Sequence, residues 1–335
     1  RRQRQMCIRD RIGIINKMSA DDSDAHVLSD GFGNNAKQQL RELIRQNYNH
    51  PSVIVWGLSN ELHQMTDEIF GLYSELYEIA CKEDDTRLKT FADNQFYGRF
   101  LELPADVVGY NRYFGWYKEA GSAENFGEWL DLYHNEKEKR PVCLSEYGGG
   151  GAISQHKDNV DWESDIDPVG VRHYENYQSQ LHEILWKQFS VRKYLWAEFI
   201  WCMFDFASYG RTEGDTKSLN DKGLCTRERI PKDVYFFYRS VWSSEKTVYI
   251  TERRHEFRAC DVPFVKVYSN ADAVELCIND VSYGRISRCE LPNDESTVFV
   301  WENIKIKPDT KNKICAKAYF SDGTSRTDYA FWTGK

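Results

Sequence analysis

The chain has 335 residues, a net charge of −8 and a sequence that is 41% hydrophobic and 29% charged. That length suggests two domains, and the acidic balance excludes the broad basic surface that nucleic acid selects. The most apolar stretch, residues 194–207, is broken by Glu198 and Asp205, so it is too short and too polar to span a bilayer.

In chain order, the first eleven residues carry five arginines and no useful periodicity. They read as a non-native extension, residues 1–11, set apart from fold reasoning. Residues 12–16 form a short apolar run, a candidate strand, and a polar loop follows over 19–33. Ala36, Leu40, Leu43 and Ile44 then share one face of a helix expected over 35–48, with Asn34 or Asn35 as its cap. Asn49-His50-Pro51 stops it, because the residue before proline disfavours the α region. A strand runs from there to Glu61. Thr66 caps a second helix with Ile69, Phe70, Tyr73, Leu76, Tyr77 and Ala80 inward. Strands follow at 88–92 and 106–111, a helix opens at Ser122, and another strand ends at Glu146. A long helix over 171–189, a strand over 198–204 and a helix over 232–242 complete this region. Strands with few polar residues, separated by amphipathic helices, imply a parallel sheet covered on both faces. Six strands are too few for a closed (β/α)8 barrel, which leaves an open doubly wound sheet or a chain that begins inside a barrel.

From residue 248 the pattern changes. Residues 265–268, 274–278, 298–300 and 314–320 alternate apolar and polar, with turn signals at Asn279-Asp280, Pro292-Asn293-Asp294 and Ser321-Asp322-Gly323. This reads as a small β-sandwich.

Two carboxylates carry the chemistry. Glu61 ends the run Val53-Ile54-Val55-Trp56-Gly57-Leu58-Ser59-Asn60, and Glu146 ends Val142-Cys143-Leu144-Ser145. Parallel barrels place reactive groups at the C-terminal ends of strands, and two facing carboxylates are the usual means of breaking a glycosidic bond. Glu61 could equally be a carboxylate that caps the next helix or pairs with an arginine. Gly148-Gly149-Gly150-Gly151 follows the second, and on pattern alone a flexible turn is favoured over a phosphate cradle, since no G-x-x-x-x-G-K-[ST] is present. Nine cysteines occur singly without a C-x-x-C pair, so zinc-site spacing is absent and free thiols are expected. No metal ligand set and no cofactor motif is legible.

His50-Pro51-Ser52-Val53-Ile54-Val55-Trp56-Gly57-Leu58-Ser59-Asn60-Glu61 resembles the acid/base signature of family 2 glycoside hydrolases. Ser145-Glu146-Tyr147-Gly148 is similar to their nucleophile signature, and Gly109-Tyr110-Asn111-Arg112-Tyr113-Phe114-Gly115-Trp116-Tyr117 to the strand between them. Phe199-Ile200-Trp201-Cys202-Met203-Phe204-Asp205-Phe206 resembles the last barrel strand, Asn220-Asp221-Lys222-Gly223 also matches, and the tail from Val265 resembles the immunoglobulin-like domain of many family 2 β-galactosidases.

The resemblance implies barrel strands 3–8 over residues 12–247 and an immunoglobulin-like sandwich over 248–335, with the family's N-terminal domains and strands 1 and 2 missing. It implies Glu61 as acid/base and Glu146 as nucleophile of a retaining mechanism, with carboxyl groups about 5–5.5 Å apart. Asn60 would hold the 2-hydroxyl of the sugar, Tyr113 would hydrogen-bond the nucleophile and Trp201 would floor the subsite. Asn220 and Lys222 resemble the carboxylate clamp of the family's β-glucuronidases. His63 and His156, which follow the two glutamates, could touch substrate, although a structural role is favoured for a lone histidine. The expected activity is exo-cleavage of terminal β-galactosides, with a β-linked glycoside or oligosaccharide as partner. The alternatives are a β-glucuronidase or an inactive carbohydrate-binding fragment. Compartment and oligomeric state are not legible.

Overall fold

The computed structural model describes residues 8–11, 30–62, 65–94, 98–292 and 296–335. Six parallel strands form one sheet in strict chain order: β1 (Ile8–Arg11), β2 (Val53–Asn60), β3 (Leu88–Asp93), β4 (Val108–Asn111), β5 (Val142–Tyr147) and β6 (Leu195–Ile200). This order decides between the two architectures that the strand count left open. A doubly wound sheet reverses its strand order at a switch point, whereas a (β/α)8 barrel lays each strand beside the last. The sheet is therefore six strands of a partial (β/α)8 barrel, followed by a β-rich region.

The chain divides into two compact units. The first comprises Arg1–Tyr113, Asn125–Tyr147 and Gln188–Ile200; the second comprises Phe114–Glu124, Gly148–Lys187 and Trp201–Lys335.

In the first unit, helices α1 (Asp30–Asn47), α2 (Asp67–Glu83) and α3 (Phe126–Glu136) bury the faces expected from their spacing. Ala36, Leu40 and Ile44 are buried on α1, Tyr73, Leu76 and Ala80 on α2, and Phe126, Leu130 and Tyr133 on α3, whereas Leu43, Ile69, Phe70 and Tyr77 are half-buried. Thr66 caps α2 by accepting a hydrogen bond from the Ile69 amide at 3.3 Å. Trp56, Leu58, Val108, Leu144 and Tyr147 are buried on the strands between, so β2, β4 and β5 are apolar runs rather than alternating ones.

Several boundaries differ from expectation, and the helix expected from Ser122 begins at Phe126. The first strand is Ile8–Arg11, inside the segment set apart as non-native, and it pairs parallel with β2 from Ile8 opposite Val53 to Arg11 opposite Gly57. Pairing is a main-chain property, and a charged sequence suits the sheet edge that β1 occupies. The strand expected over 12–16 lies outside the described residues, as does His63. Helix α1 starts earlier than its expected asparagine caps, and Asn35 instead pairs within the helix with Gln39. The last strand ends at Ile200 rather than Phe204. Beyond it the main chain bonds elsewhere: Cys202 donates to the Lys222 carbonyl, and Leu224 and Cys225 donate back to those of Cys202 and Met203.

In the second unit, the helix Glu175–Phe189 buries Tyr177, Leu181 and Leu185. The expected start at Val171 fails because the main chain before Glu175 is bonded elsewhere: the Ala152 amide donates to the His173 carbonyl at 2.8 Å and the Glu175 amide to that of Gln155 at 3.0 Å. Two sheets then share one core. Phe257–Arg258, Ser325–Gly334, Lys311–Tyr319, Ala273–Ile278 and Val281–Ser287 form one, in that order, and Val298–Lys305, Asp261–Ser269 and Val248–Ile250 the other. Val265, Val267 and Phe299 of the smaller sheet pack with Leu276, Ile314 and Trp332 of the larger. The Asn279-Asp280 turn signal is a two-residue hairpin loop, with φ of 50° and 66° and Ile278 paired to Val281. Positive φ at both positions is what a type I′ turn requires, and Asn and Asp tolerate it. None of the described cysteines is paired in a disulfide, and no described helix is long and apolar enough to cross a membrane.

Candidate active site

The C-terminal ends of β2, β4 and β5 bring buried polar residues together: Asn60, Asn111, Ser145 and Glu146. Glu61 follows β2 with φ of 48°, and its amide donates to the Ala92 carbonyl at 2.8 Å. Asn111, at the end of β4, donates through Nδ2 to Glu61 Oε1 at 2.9 Å and to Asn60 Oδ1 at 3.2 Å. Its Oδ1 accepts from Ser145 Oγ at 2.7 Å. A buried amide thus ties three strand ends together and fixes the Glu61 carboxylate. Glu146 is buried, and Tyr113 donates its phenol hydrogen to Glu146 Oε2 at 2.7 Å. A phenol donor orients a carboxylate and stabilises its ionised form, the form a nucleophile needs.

Sequence reasoning missed Asn111. It lies inside a quoted motif, but only the fold shows that one side chain serves both Glu61 and the neighbour of Glu146.

The second unit builds a different constellation. Asn220 and Lys222 are both buried, and Asn220 Oδ1 accepts from the Lys222 amide at 3.1 Å. Lys222 Nζ donates to Tyr117 Oη at 3.0 Å and lies 5.7 Å from the centre of the Trp116 ring. Tyr117 also went unrecognised, since 105 positions separate it from Lys222. Between them, Asp221 Oδ2 is 2.7 Å from His173 Nδ1. Burial raises the Asp221 carboxyl, but the His173 hydrogen bond and the nearby Lys232 and Lys222 charges outweigh it, and its pKa is lowered. Lys232, fully buried, donates to Asp205 Oδ1 and to the Asp221 carbonyl, both at 2.8 Å. Burial nevertheless pushes Asp205 up to about 6.

Trp201 lies edge-on to Phe206, with ring centres 5.7 Å apart. It lines an open cleft of about 720 Å³ with Met203, Phe204, Phe206, Arg227 and Arg229. His156 belongs to another group. Its Nε2 is 2.9 Å from Glu175 Oε2, its ring stacks on His255, and Glu175 also accepts from Arg254 at 2.7 Å. These contacts give His156 a place in a buried ion network. Among the described residues, Asp158, Glu252 and His255 bring ligand-type atoms within 4.8 Å of one another. The Arg258 guanidinium pairs with both carboxylates there and supplies the positive charge.

The glycine run is a packing device rather than a flexible turn. Gly148–Gly151 is buried, and a Cβ at Gly150 would fall 2.5 Å from Asp221 Oδ1 and 2.9 Å from His173 Nδ1. Gly149 and Gly151 would meet Trp116 and Gln178 at 2.7 and 2.5 Å. Gly150→Ala is expected to lower stability by about 1–3 kcal/mol by overpacking, read from denaturant midpoints. A neutral result would contradict the close packing.

A pH effect follows from His182, whose Nδ1 is 2.8 Å from Tyr238 Oη. Burial, with the Lys232 charge, pushes this imidazole from 6.5 down to about 3. Between those values the unfolded chain takes up a proton that the folded chain refuses. Its contribution to stability is therefore present above pH 6.5 and lost as pH falls through the window. The stability difference between the chain and His182→Gln should shrink by about 1–2 kcal/mol from pH 7 to pH 5. A difference constant with pH would contradict burial of a neutral ring.

The family model described as "Glycosyl hydrolases family 2, TIM barrel domain" matches residues 9–247, and one described as a domain of unknown function matches residues 262–326. A β-glucuronidase of Bacteroides fragilis is 38% identical over 277 residues, 82% of this chain and 38% of that protein. The chain thus spans about two fifths of that relative's length. The crystal structure of an FMN-binding β-glucuronidase from Facaelibacterium prausnitzii L2-6 superposes with a TM-score of 0.81 at 31% identity, over 98% of this chain and 47% of that one. A candidate β-galactosidase structure from Bacteroides fragilis also gives 0.81 at 31% identity, over 91% and 44%. With a barrel model matched along most of its length and carboxylates at the strand ends, the chain belongs to glycoside hydrolase family 2.

Proposed function

We propose that this chain is the catalytic portion of a retaining, exo-acting β-glucuronidase. Glu61 serves as acid/base and Glu146 as nucleophile, while Asn60, Tyr113 and Trp201 hold the sugar and the nucleophile. Asn220 and Lys222 receive the uronate carboxylate, and Tyr117 orients the lysine. The β-galactoside expectation gives way here to its alternative. The observation that carries the choice is Lys222, an ammonium only 3% exposed, set beside the Tyr117 phenol and the Trp116 indole. A compact ammonium held by a phenol is a point charge suited to a uronate carboxylate, and a neutral hydroxymethyl group offers it no charge to pair with. The β-glucuronidase names of the similar proteins support the same choice. In this reading the C-terminal sandwich is immunoglobulin-like.

The test is turnover of aryl β-glucuronide against aryl β-galactoside. The glucuronide is expected to be preferred by at least ~10²-fold in kcat/KM, the worth of one desolvated charge pair. Preference for the galactoside would overturn the choice, and no turnover of any aryl glycoside would favour a non-catalytic carbohydrate-binding role.

A further inference from the structure

The outer face of the five-stranded sheet in the C-terminal sandwich carries a pattern that the hydrolytic reading does not use. Side chains alternate across a strand, so Ala330 and Trp332 point into the core while Tyr329 and Phe331 point out. Tyr329 and Phe331 are 48% and 45% exposed, and Phe257, on the neighbouring edge strand, is 55% exposed. On the other side, Lys311, Lys313 and Lys317 point outward from the strand Lys311–Tyr319.

The register sets the two columns side by side. Lys311 is opposite Thr333, Lys313 opposite Phe331, Cys315 opposite Tyr329 and Lys317 opposite Thr327. Phe257 flanks Thr333 on the far side. The ammonium groups lean over the rings, with Lys311 Nζ 4.7 Å from the centre of Phe331 and Lys313 Nζ 5.4 Å from that of Tyr329. A cleft of about 390 Å³ opens at the same place, lined in part by Lys311, Tyr329, Phe331 and Thr333.

Nothing in the sandwich core requires this arrangement. Exposed rings on a sheet face forgo burial, and a column of lysines repels itself. In a chain of net charge −8, a local run of cations beside flat rings is a surface complementary to an acidic polymer with apolar faces. We infer that the outer sheet face of the C-terminal sandwich binds acidic polysaccharide, with Tyr329 and Phe331 stacking on sugar rings and Lys311, Lys313 and Lys317 pairing with uronate carboxylates. Single-stranded nucleic acid offers charge and stacking too. The glycan is favoured because the chain belongs to a glycoside hydrolase family and because Asp280, paired with Lys313 at 3.1 Å, and Glu275, opposite Lys317, neutralise part of the lysine charge, which suits the widely spaced carboxylates of a uronate polymer better than a phosphate at every residue. The choice of glycan rests on that membership and not on which sugar the active site cleaves.

The test is a binding titration of the whole chain carrying Glu146→Gln, so that substrate is not consumed. The probes are hyaluronan, a soluble glucuronate-bearing polymer, neutral hydroxyethyl cellulose, and oligo(dT). Hyaluronan is expected to bind more tightly than both others and to weaken as salt rises. Tyr329→Ala with Phe331→Ala should weaken it at least tenfold. Because an aromatic pair on a strand can disturb folding, Lys313→Glu with Lys317→Glu is a second variant, also expected to lose at least tenfold while far-UV circular dichroism is unchanged. Equal binding of the neutral polymer, tighter binding of oligo(dT), or no hyaluronan binding would each overturn the inference. Retention of binding in the folded lysine variant would do the same. A chain that binds hyaluronan but hydrolyses no glucuronide leaves this inference standing and removes the proposed activity; the reverse outcome removes this inference alone.

Discussion

Glu146→Gly is expected to lower kcat for an aryl β-glucuronide by at least ~10⁴-fold, the scale on which removal of an essential nucleophile acts. The loss should not be repaired by the neighbouring Tyr113 hydroxyl, which donates to Glu146 at 2.7 Å and is a neutral phenol, a far weaker nucleophile than a carboxylate. Added azide should restore turnover and give the α-glycosyl azide. Without a carboxylate on that face, a small anion can enter from it and attack the anomeric carbon once, with one inversion. Tyr113→Phe keeps the carboxylate but removes its donor, so it should lower kcat far less than Glu146→Gly does. Full activity in Glu146→Gly, or a β-glycosyl azide product, would contradict the nucleophile assignment.

Lys222→Ala is expected to lower kcat/KM for the glucuronide by about 10²–10³-fold and to leave a poor galactoside activity nearly unchanged. The magnitude follows from truncating one partner of a desolvated charge pair, about 2–5 kcal/mol. Lys222→Arg should not rescue it, since Lys222 sits buried against Tyr117 and Trp116, and a guanidinium is larger and forked where an ammonium is a point charge. Tyr117→Phe removes the oxygen that receives the ammonium and should raise KM for the glucuronide more than it lowers kcat. Equal losses on both substrates would mean that Lys222 supports the loop and does not recognise a carboxylate.

Much of this was legible before any coordinates, and the exceptions have physical causes. Glu61 and Glu146 could be found because each ends an apolar run that only a buried parallel strand explains. The sandwich strands could be found because one face is buried and the other is not, which leaves a period of two. β1 could not, because Ile8-Arg9-Asp10-Arg11 joins the sheet through main-chain bonds and its side chains carry no pattern. The glycine run looked like a flexible turn because its neighbours Trp116, His173, Gln178 and Asp221 are remote in sequence. His156 was open to a substrate role for the same reason: its partner Glu175 and the Arg254 that shares it are separated along the chain. Asn111 and Tyr117 illustrate the converse. Both stand in the stretch of residues 109–117, yet only the hydrogen bonds to Glu61 and Lys222 bring them to the candidate site.

The most direct measurement is covalent trapping. A 2-deoxy-2-fluoro-β-glucuronosyl fluoride should lose its anomeric fluoride to one carboxylate and leave a stable glycosyl ester, seen as one added fluoroglucuronosyl mass on the intact chain and mapped by peptide sequencing to Glu146. The galactose-configured reagent should label it far more slowly. An ester on Glu61, or labelling by the galactosyl reagent alone, would contradict the account.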